Sequence, residues 1–441
     1  MPSKMLFSKT FGFLMSSNVL VVIISIFIGA ATSRILGVEG RGEFYLFIQI
    51  VSLGTIIFSL GIHSAIQYYL SKEIISKDDI ASMIILQLIA ISIVLFLLQS
   101  FLNSFLELTY DMSILILISL LLGISILYLN SVMMTFSEGI KNTSILAPAS
   151  SAVQLFLFIF LVVVLSDQFQ KLSYAIIAFI IGNIFRIIFS FYTVGKFNFN
   201  LKKKYLTDFK KLYKFGAASF LANLSVLLLF KLDIFMISSM LGYAELGIYS
   251  AAVTLIEMVL LVPTVIGTSL FTHLPTIGSK ERITLVRKTL LGVMAMSIFL
   301  LIMLSIFGRI IIIILFGGLF IEAIYPLLYL MPGIFFMSLN YCFANYFSGI
   351  GRPIITGCIF TIGVLINFIL NLYFIPILGI LGASIASSIA YFFVTLMFIY
   401  ALWQFEKINS MELFFFSRKE IIKLQFYIKN KLNFLNDYFK Q

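Results

Sequence analysis

The sequence predicts an all-α integral membrane protein with about twelve transmembrane helices in two parallel six-helix halves. Three observations predict it. Of the 441 residues, 61% are hydrophobic and 11% charged, with a mean hydropathy of +1.11. A soluble domain carries about 25% charged residues, which it needs to cover its surface. Apolar stretches of about 20 residues, enough to cross a bilayer, recur along the whole chain. A basic stretch near the middle then divides these spans six and six, and a related motif stands at the same place in each set.

Taken in order, the predicted spans are 11–32, 44–69, 80–103, 112–136, 144–166, 171–195, 215–241, 248–273, 289–315, 322–347, 353–376 and 379–404. They lack the period-2 alternation of a β-barrel. The apolar run of the first span is too long for a usual signal core, although Gly29, Ala30 and Ala31 are small. Cys342 and Cys358 fall inside spans, where small core residues are expected rather than a disulfide or metal site. Pro263, Pro326 and Pro332 are expected to bend the eighth and tenth spans. His63 and His273 stand near the inner ends of spans two and eight, as interfacial polar residues.

Lys and Arg set the expected orientation. With the N-terminus inside, the inside segments hold 24 of the 30 and the outside connections hold 3, namely Arg34, Arg41 and Lys171. Arg186, Lys231 and Arg309 remain within spans. This bias places both termini in the cytoplasm and makes the net charge of +11 a topology signal, not a nucleic-acid signal. The expected organisation is a six-helix bundle over 1–195, a basic cytoplasmic linker over 196–214, a second bundle over 215–404, and a tail over 405–441. In the tail Ile421, Leu424, Ile428, Leu432, Leu435 and Phe439 recur at helical spacing among lysines, as in an amphipathic helix on the inner membrane surface.

"SRILGVEGRGEFY" (Ser33 to Tyr45) and "SSMLGYAELGIYS" (Ser238 to Ser250) align at an offset of 205 residues, pairing Gly37 with Gly242 and Gly42 with Gly247. "FSEGIK" at Phe136 and "FSGIGR" at Phe347 give a weaker echo. Six spans separate the copies, so the halves share one orientation and can rock about a site between them. The expected local structure is a span ending at Gly37 or Gly242, a short turn, and a helix beginning after Gly42 or Gly247.

These motifs, twelve spans and the basic middle loop resemble the Wzx-type O-antigen flippases. That family is the lipid-linked-oligosaccharide branch of the multidrug/oligosaccharidyl-lipid/polysaccharide (MOP) superfamily, which includes the MATE drug exporters. The resemblance covers residues 1 to about 404. It implies a MATE/MOP-like fold with a V-shaped cavity and alternating access in a bacterial cytoplasmic membrane. It also implies a cargo of undecaprenyl-diphosphate-linked oligosaccharide, for O-antigen, capsule or exopolysaccharide synthesis. A glycan polymerase and a chain-length regulator are the expected partners besides membrane lipid, with no nucleic acid. A MATE-like exporter of small molecules, coupled to H⁺ or Na⁺, is the alternative.

Charges inside the spans supply the candidate site. "LLLFKLDIFMISS" carries Lys231 and Asp233 in an apolar helix, at roughly 2.5–3.5 kcal/mol each on insertion scales. Lys231 lies ten residues before Leu241, and Glu257 ten residues after Gly247, each about 15 Å deep. They are therefore expected to pair, whereas Lys231 and Asp233, two apart on one helix, are not. A purely structural ion pair is the competing reading. Lys231, Arg186, Arg34 and Arg309 are the candidate diphosphate partners, Arg309 also being placed to snorkel. Asp233 and Glu257 are candidates for binding a coupling ion, H⁺ or Na⁺. The first repeat has Ile26 and Ile28 where the second has Lys231 and Asp233, so these charges break its symmetry. No cofactor or metal centre is expected: the chain lacks a GxxxxGK[ST] loop, an HExxH pair and a Cys/His cluster. A membrane glycan polymerase is disfavoured, because the longest outside connection spans only about ten residues on this span assignment.

Overall fold

The computed structural model describes residues 2–63, 65–66, 76–109, 114–139, 146–165, 171–194, 205–274 and 279–406, and among them it is helical almost throughout. The helices are α1 (Pro2–Ser59), α2 (Lys77–Thr109), α3 (Ile114–Gly139), α4 (Leu146–Leu165), α5 (Lys171–Val194) and α6 (Tyr205–Met240). After them come α7 (Tyr243–His273), α8 (Ser279–Leu315), a 3₁₀ turn (Gly318–Ala323), α9 (Ile324–Gly349), α10 (Pro353–Leu378) and α11 (Ile380–Glu406). Within α1 the apolar stretch Leu20–Ser59 has 40 residues, about 60 Å of helix, twice what a bilayer needs. Gly37 (φ 72°, ψ −169°) breaks it into two crossings. Among the described residues, eight helices are long and apolar enough to cross a membrane, that doubled one included. The protein is a multi-pass membrane protein.

Each predicted span falls on one of these helices, with two shifts. The second was expected to run to residue 69, but helix α1 ends at Ser59 in a left-handed turn at Leu60 (φ 47°) and Gly61 (φ 74°). Helix α6 begins at Tyr205, inside the stretch expected as linker. The spacing of Leu206, Phe209, Leu212 and Tyr213 is itself helical, so the basic segment continues into the span. Residues 196–204 of the linker and the tail from 407 lie outside the described residues.

Among the described residues there are two buried clusters, and Tyr45 and Leu46 of α1 join the one built mostly from the later helices. One gathers Phe44, Val51, Ile84, Tyr128 and Phe179 from α1 to α5. The other gathers Leu229, Tyr249, Phe343, Phe360 and Phe398 from α6 to α11. Between them α1 packs along α7 and also meets α6.

The repeat is visible in the backbone, though not as the expected turn. Gly37 and Gly242 both take positive φ with extended ψ (72°, −169° and 91°, −177°). Helix resumes at once, at Val38 and at Tyr243, so Gly42 and Gly247 lie inside helices. Their lack of a side chain serves packing. A Cβ on Gly42 would stand 1.9 Å from the Tyr243 carbonyl oxygen, and one on Gly247 would stand 1.9 Å from that of Val38. Because Val38 aligns with Tyr243, this contact is reciprocal, as a pseudo-twofold axis along the membrane normal requires. A second glycine crossing lies at the opposite face, where a Cβ on Gly61 would meet the Gly216 carbonyl oxygen at 2.1 Å. The two faces are called below the turn face (Gly37, Gly242) and the linker face (Gly61, Gly216).

Candidate transport cavity

A cavity of about 620 Å³ opens between the two sets of helices. Its walls come from the end of α1, from α6, α7 and α9, and from the start of α10. It extends from Lys231 and Glu257 toward Gly61, Ser348 and Thr356 at the linker face. Fifteen residues separate Lys231 from Gly216 on α6, or about 22 Å along the helix. Asn223, Asn345 and Thr264 offer hydrogen-bonding groups along this path, while Phe220, Phe230 and Phe360 offer apolar faces. His63 also lines the cavity, with Nε2 at 3.2 Å from the Ser131 hydroxyl.

Lys231 and Glu257 form the ion pair expected from their depth. The lysine side chain is 14% exposed and the glutamate 44%, so the carboxylate is the group presented to the cavity. The Lys231 ammonium also donates to the Tyr45 hydroxyl at 3.3 Å, which ties the pair to α1 across the seam.

Asp233 points elsewhere. It is 3% exposed, inside the second bundle, and its carboxylate accepts from the Tyr249 hydroxyl, the Ile234 amide (2.9 Å) and the Ser387 hydroxyl (3.4 Å). Asn367 donates to Ser387 at 3.1 Å and Asn371 donates to Asn367 at 2.9 Å. The Asn371 carbonyl oxygen Oδ1 is buried without a protein partner. This is a buried hydrogen-bonded cluster around one carboxylate, and Asp233 does not line the cavity.

The other candidate arginines are not gathered at the cavity. Arg34 is exposed on the turn face and donates to the Leu315 and Ile314 carbonyls (3.0 and 2.5 Å), capping the C-terminus of α8. Arg186 is half-buried on α5, which packs against α3 and α4, and Arg309 is exposed on α8.

A residue counted with the outside connections has a different place. Arg41 is 4% exposed within the glycine crossing. Its guanidinium donates to the Ser250 and Thr254 hydroxyls (3.1 Å each), to Thr32 (2.5 Å) and to the Gly29 carbonyl (3.2 Å). Asymmetry of the repeat was the available signal, since Arg41 aligns with Leu246, which is fully buried.

A family model described as "polysaccharide biosynthesis protein" matches residues 7–279, more than half of the chain. The chain belongs to this polysaccharide biosynthesis protein family. Among solved structures, it is similar to the lipid II flippase MurJ in an inward closed conformation. The TM-score is 0.72 at 16% identity, covering 91% of this chain and 89% of that one. An inward-facing MATE family multidrug transporter of the MOP superfamily gives a TM-score of 0.64 at 14% identity, covering 88% and 96%. Among curated proteins, an uncharacterized membrane protein of Methanocaldococcus jannaschii is 25% identical over 413 residues, 86% of this chain and 80% of the relative. The family member thus has the MOP fold. The expected fold class, all-helical and MATE/MOP-like, agrees with these structures.

Proposed function

We propose that this family member flips an undecaprenyl-diphosphate-linked oligosaccharide across the bacterial cytoplasmic membrane by ion-coupled alternating access. The carrying observation is a lysine at the closed end of a cavity between two bundles, paired with a carboxylate on the same wall. A diphosphate crossing a low-dielectric region needs a cation, and Lys231 supplies one where the halves meet. Attached sugars need hydrogen-bonding groups and apolar faces, which Asn223, Asn345, Phe220 and Phe230 supply, while the prenyl chain stays in lipid. The Lys/Arg distribution favours the linker face as cytoplasmic, with both termini on that side. The cavity then loads from the cytoplasm.

In this scheme Glu257 is the resident counter-ion that the diphosphate displaces. Once displaced, it takes up a proton or leads to the coupling step. Asp233 is the second coupling candidate, holding H⁺ or Na⁺ among the oxygens of Tyr249, Ser387 and Asn367. Handover to a glycan polymerase and chain-length regulator, in O-antigen or capsule synthesis, follows from such a cargo. A second reading is H⁺- or Na⁺-coupled export of small cations. It is favoured by the greater exposure of Glu257 than Lys231.

Deleting the gene in its host should trap lipid-linked oligosaccharide in the inner leaflet and remove surface polysaccharide. Normal surface glycan with no trapped intermediate would defeat the flippase reading. Lys231→Ala at unchanged protein level should reproduce the deletion. Loss of resistance to cationic compounds, with glycan intact, would favour the exporter.

A further inference from the structure

Arg41 has no task in that scheme, yet its surroundings are unusual for a structural arginine. Taking a guanidinium out of water costs several kcal/mol, and buried ones are normally compensated by a carboxylate or phosphate. Here its hydrogen-bond partners are three hydroxyls and a carbonyl, all neutral. They are also divided between the bundles. Gly29 and Thr32 belong to α1, whereas Ser250 and Thr254 belong to α7. Any parting of the turn face strips Arg41 of the α7 partners and turns it toward the opened seam. Its charged neighbours along that seam are the Lys231–Glu257 pair and Arg34. The Arg41 guanidinium and the Lys231 ammonium both stand near the Tyr45 ring, 5.7 and 5.6 Å from its centroid, and Arg34 lies beyond at the surface. Scaffold symmetry does not call for the charge, because Leu246 fills the aligned position.

We propose that Arg41 is a second anion station, which takes the cargo diphosphate from Lys231 as the halves part on the turn face. This rests on the reading of Lys231 as the first diphosphate partner. While the seam is closed, Thr32, Ser250 and Thr254 hold the guanidinium in place of an anion. When it opens, the freed N–H groups meet the diphosphate oxygens, and a planar fork suits that geometry better than an ammonium.

The test uses the full chain in lipid nanodiscs with inorganic pyrophosphate as probe, read by calorimetry. Gly247→Ala props the turn face open, since its Cβ would stand 1.9 Å from the Val38 carbonyl oxygen. In that background Arg41→Gln should weaken pyrophosphate binding about tenfold or more, and Arg41→Lys should recover part of the loss. Equal binding by Gly247→Ala with and without Arg41→Gln would make Arg41 a latch only and overturn the proposal. Where Gly247→Ala fails to accumulate, Gly42→Ala does the same from the other helix, its Cβ meeting the Tyr243 carbonyl oxygen at 1.9 Å. In the unsubstituted chain Lys231→Ala should weaken pyrophosphate binding. If it does not, the cargo reading itself fails and takes the second station with it, an outcome separate from the Arg41 comparison.

Discussion

At the scale of single residues, the Lys231–Glu257 pair is asymmetric in a way that can be measured. Glu257 is 44% exposed and can hydrate when its partner is removed, whereas Lys231, at 14%, cannot do so equally. Removing one partner of a buried pair is costly because the other charge is left uncompensated. Glu257→Ala should therefore destabilise the protein in detergent more than Lys231→Ala does, by about 1–3 kcal/mol, seen as a larger fall in unfolding temperature. Equal losses would mean the lysine reaches water by another route. This pair was legible in the sequence because helix rise converts residue count into depth, and the two counts start from either end of the same short connection, Leu241 and Gly247. The direction of Asp233 was not legible. Ser387, one of its partners, arrives from 154 residues away, and no count along α6 reveals which neighbour faces it. Arg41 was hidden for a different reason. A turn was expected from Gly37 to Gly42, but only Gly37 leaves the helix, which carries Arg41 into the packed seam.

At the scale of elements, the glycines divide into those needed for backbone conformation and those needed for close approach. Gly37 has a φ of 72° and a ψ of −169°, and a Cβ added there would meet nothing within 4 Å, so Gly37→Ala should cost about 1–3 kcal/mol of backbone strain and no clash. Gly61 combines both demands, with a φ of 74° and the Gly216 carbonyl oxygen 2.1 Å from a Cβ. Gly61→Ala should separate α1 from α6 at the linker face. In a protein carrying Asn223→Cys, thiol labelling from that face should then rise well above that of the Gly37→Ala counterpart. Similar labelling of the two would show that the Gly61 crossing does not gate the cavity. The helical membrane spans and the repeat were readable from hydropathy and glycine spacing. The split in glycine roles was not, because positive φ and interhelical contact leave the same letter in the sequence.

At the scale of the whole molecule, two glycine crossings bracket the charged end of the cavity and its mouth, one at each face. Rocking of the bundles requires that they open in turn, since opening both at once would leave a water-filled path through the membrane. The turn-face crossing is held by more than glycine packing. Arg41 binds hydroxyls on α7, and Arg34 binds the terminal carbonyls of α8, so α1 is fastened to the second bundle at two depths. Cysteines at Val38 and Tyr243, in a Cys342→Ala, Cys358→Ala background, would flank that crossing from opposite helices. Bridging them with a short bifunctional thiol reagent should stop export completely, and a reductant-cleavable form should restore it. Pyrophosphate binding at Lys231 should survive the bridge, because the cavity is reached from the linker face. Export that continues while the bridge is intact would show that this seam never parts during transport, and with it the alternating use of the two glycine crossings would be lost.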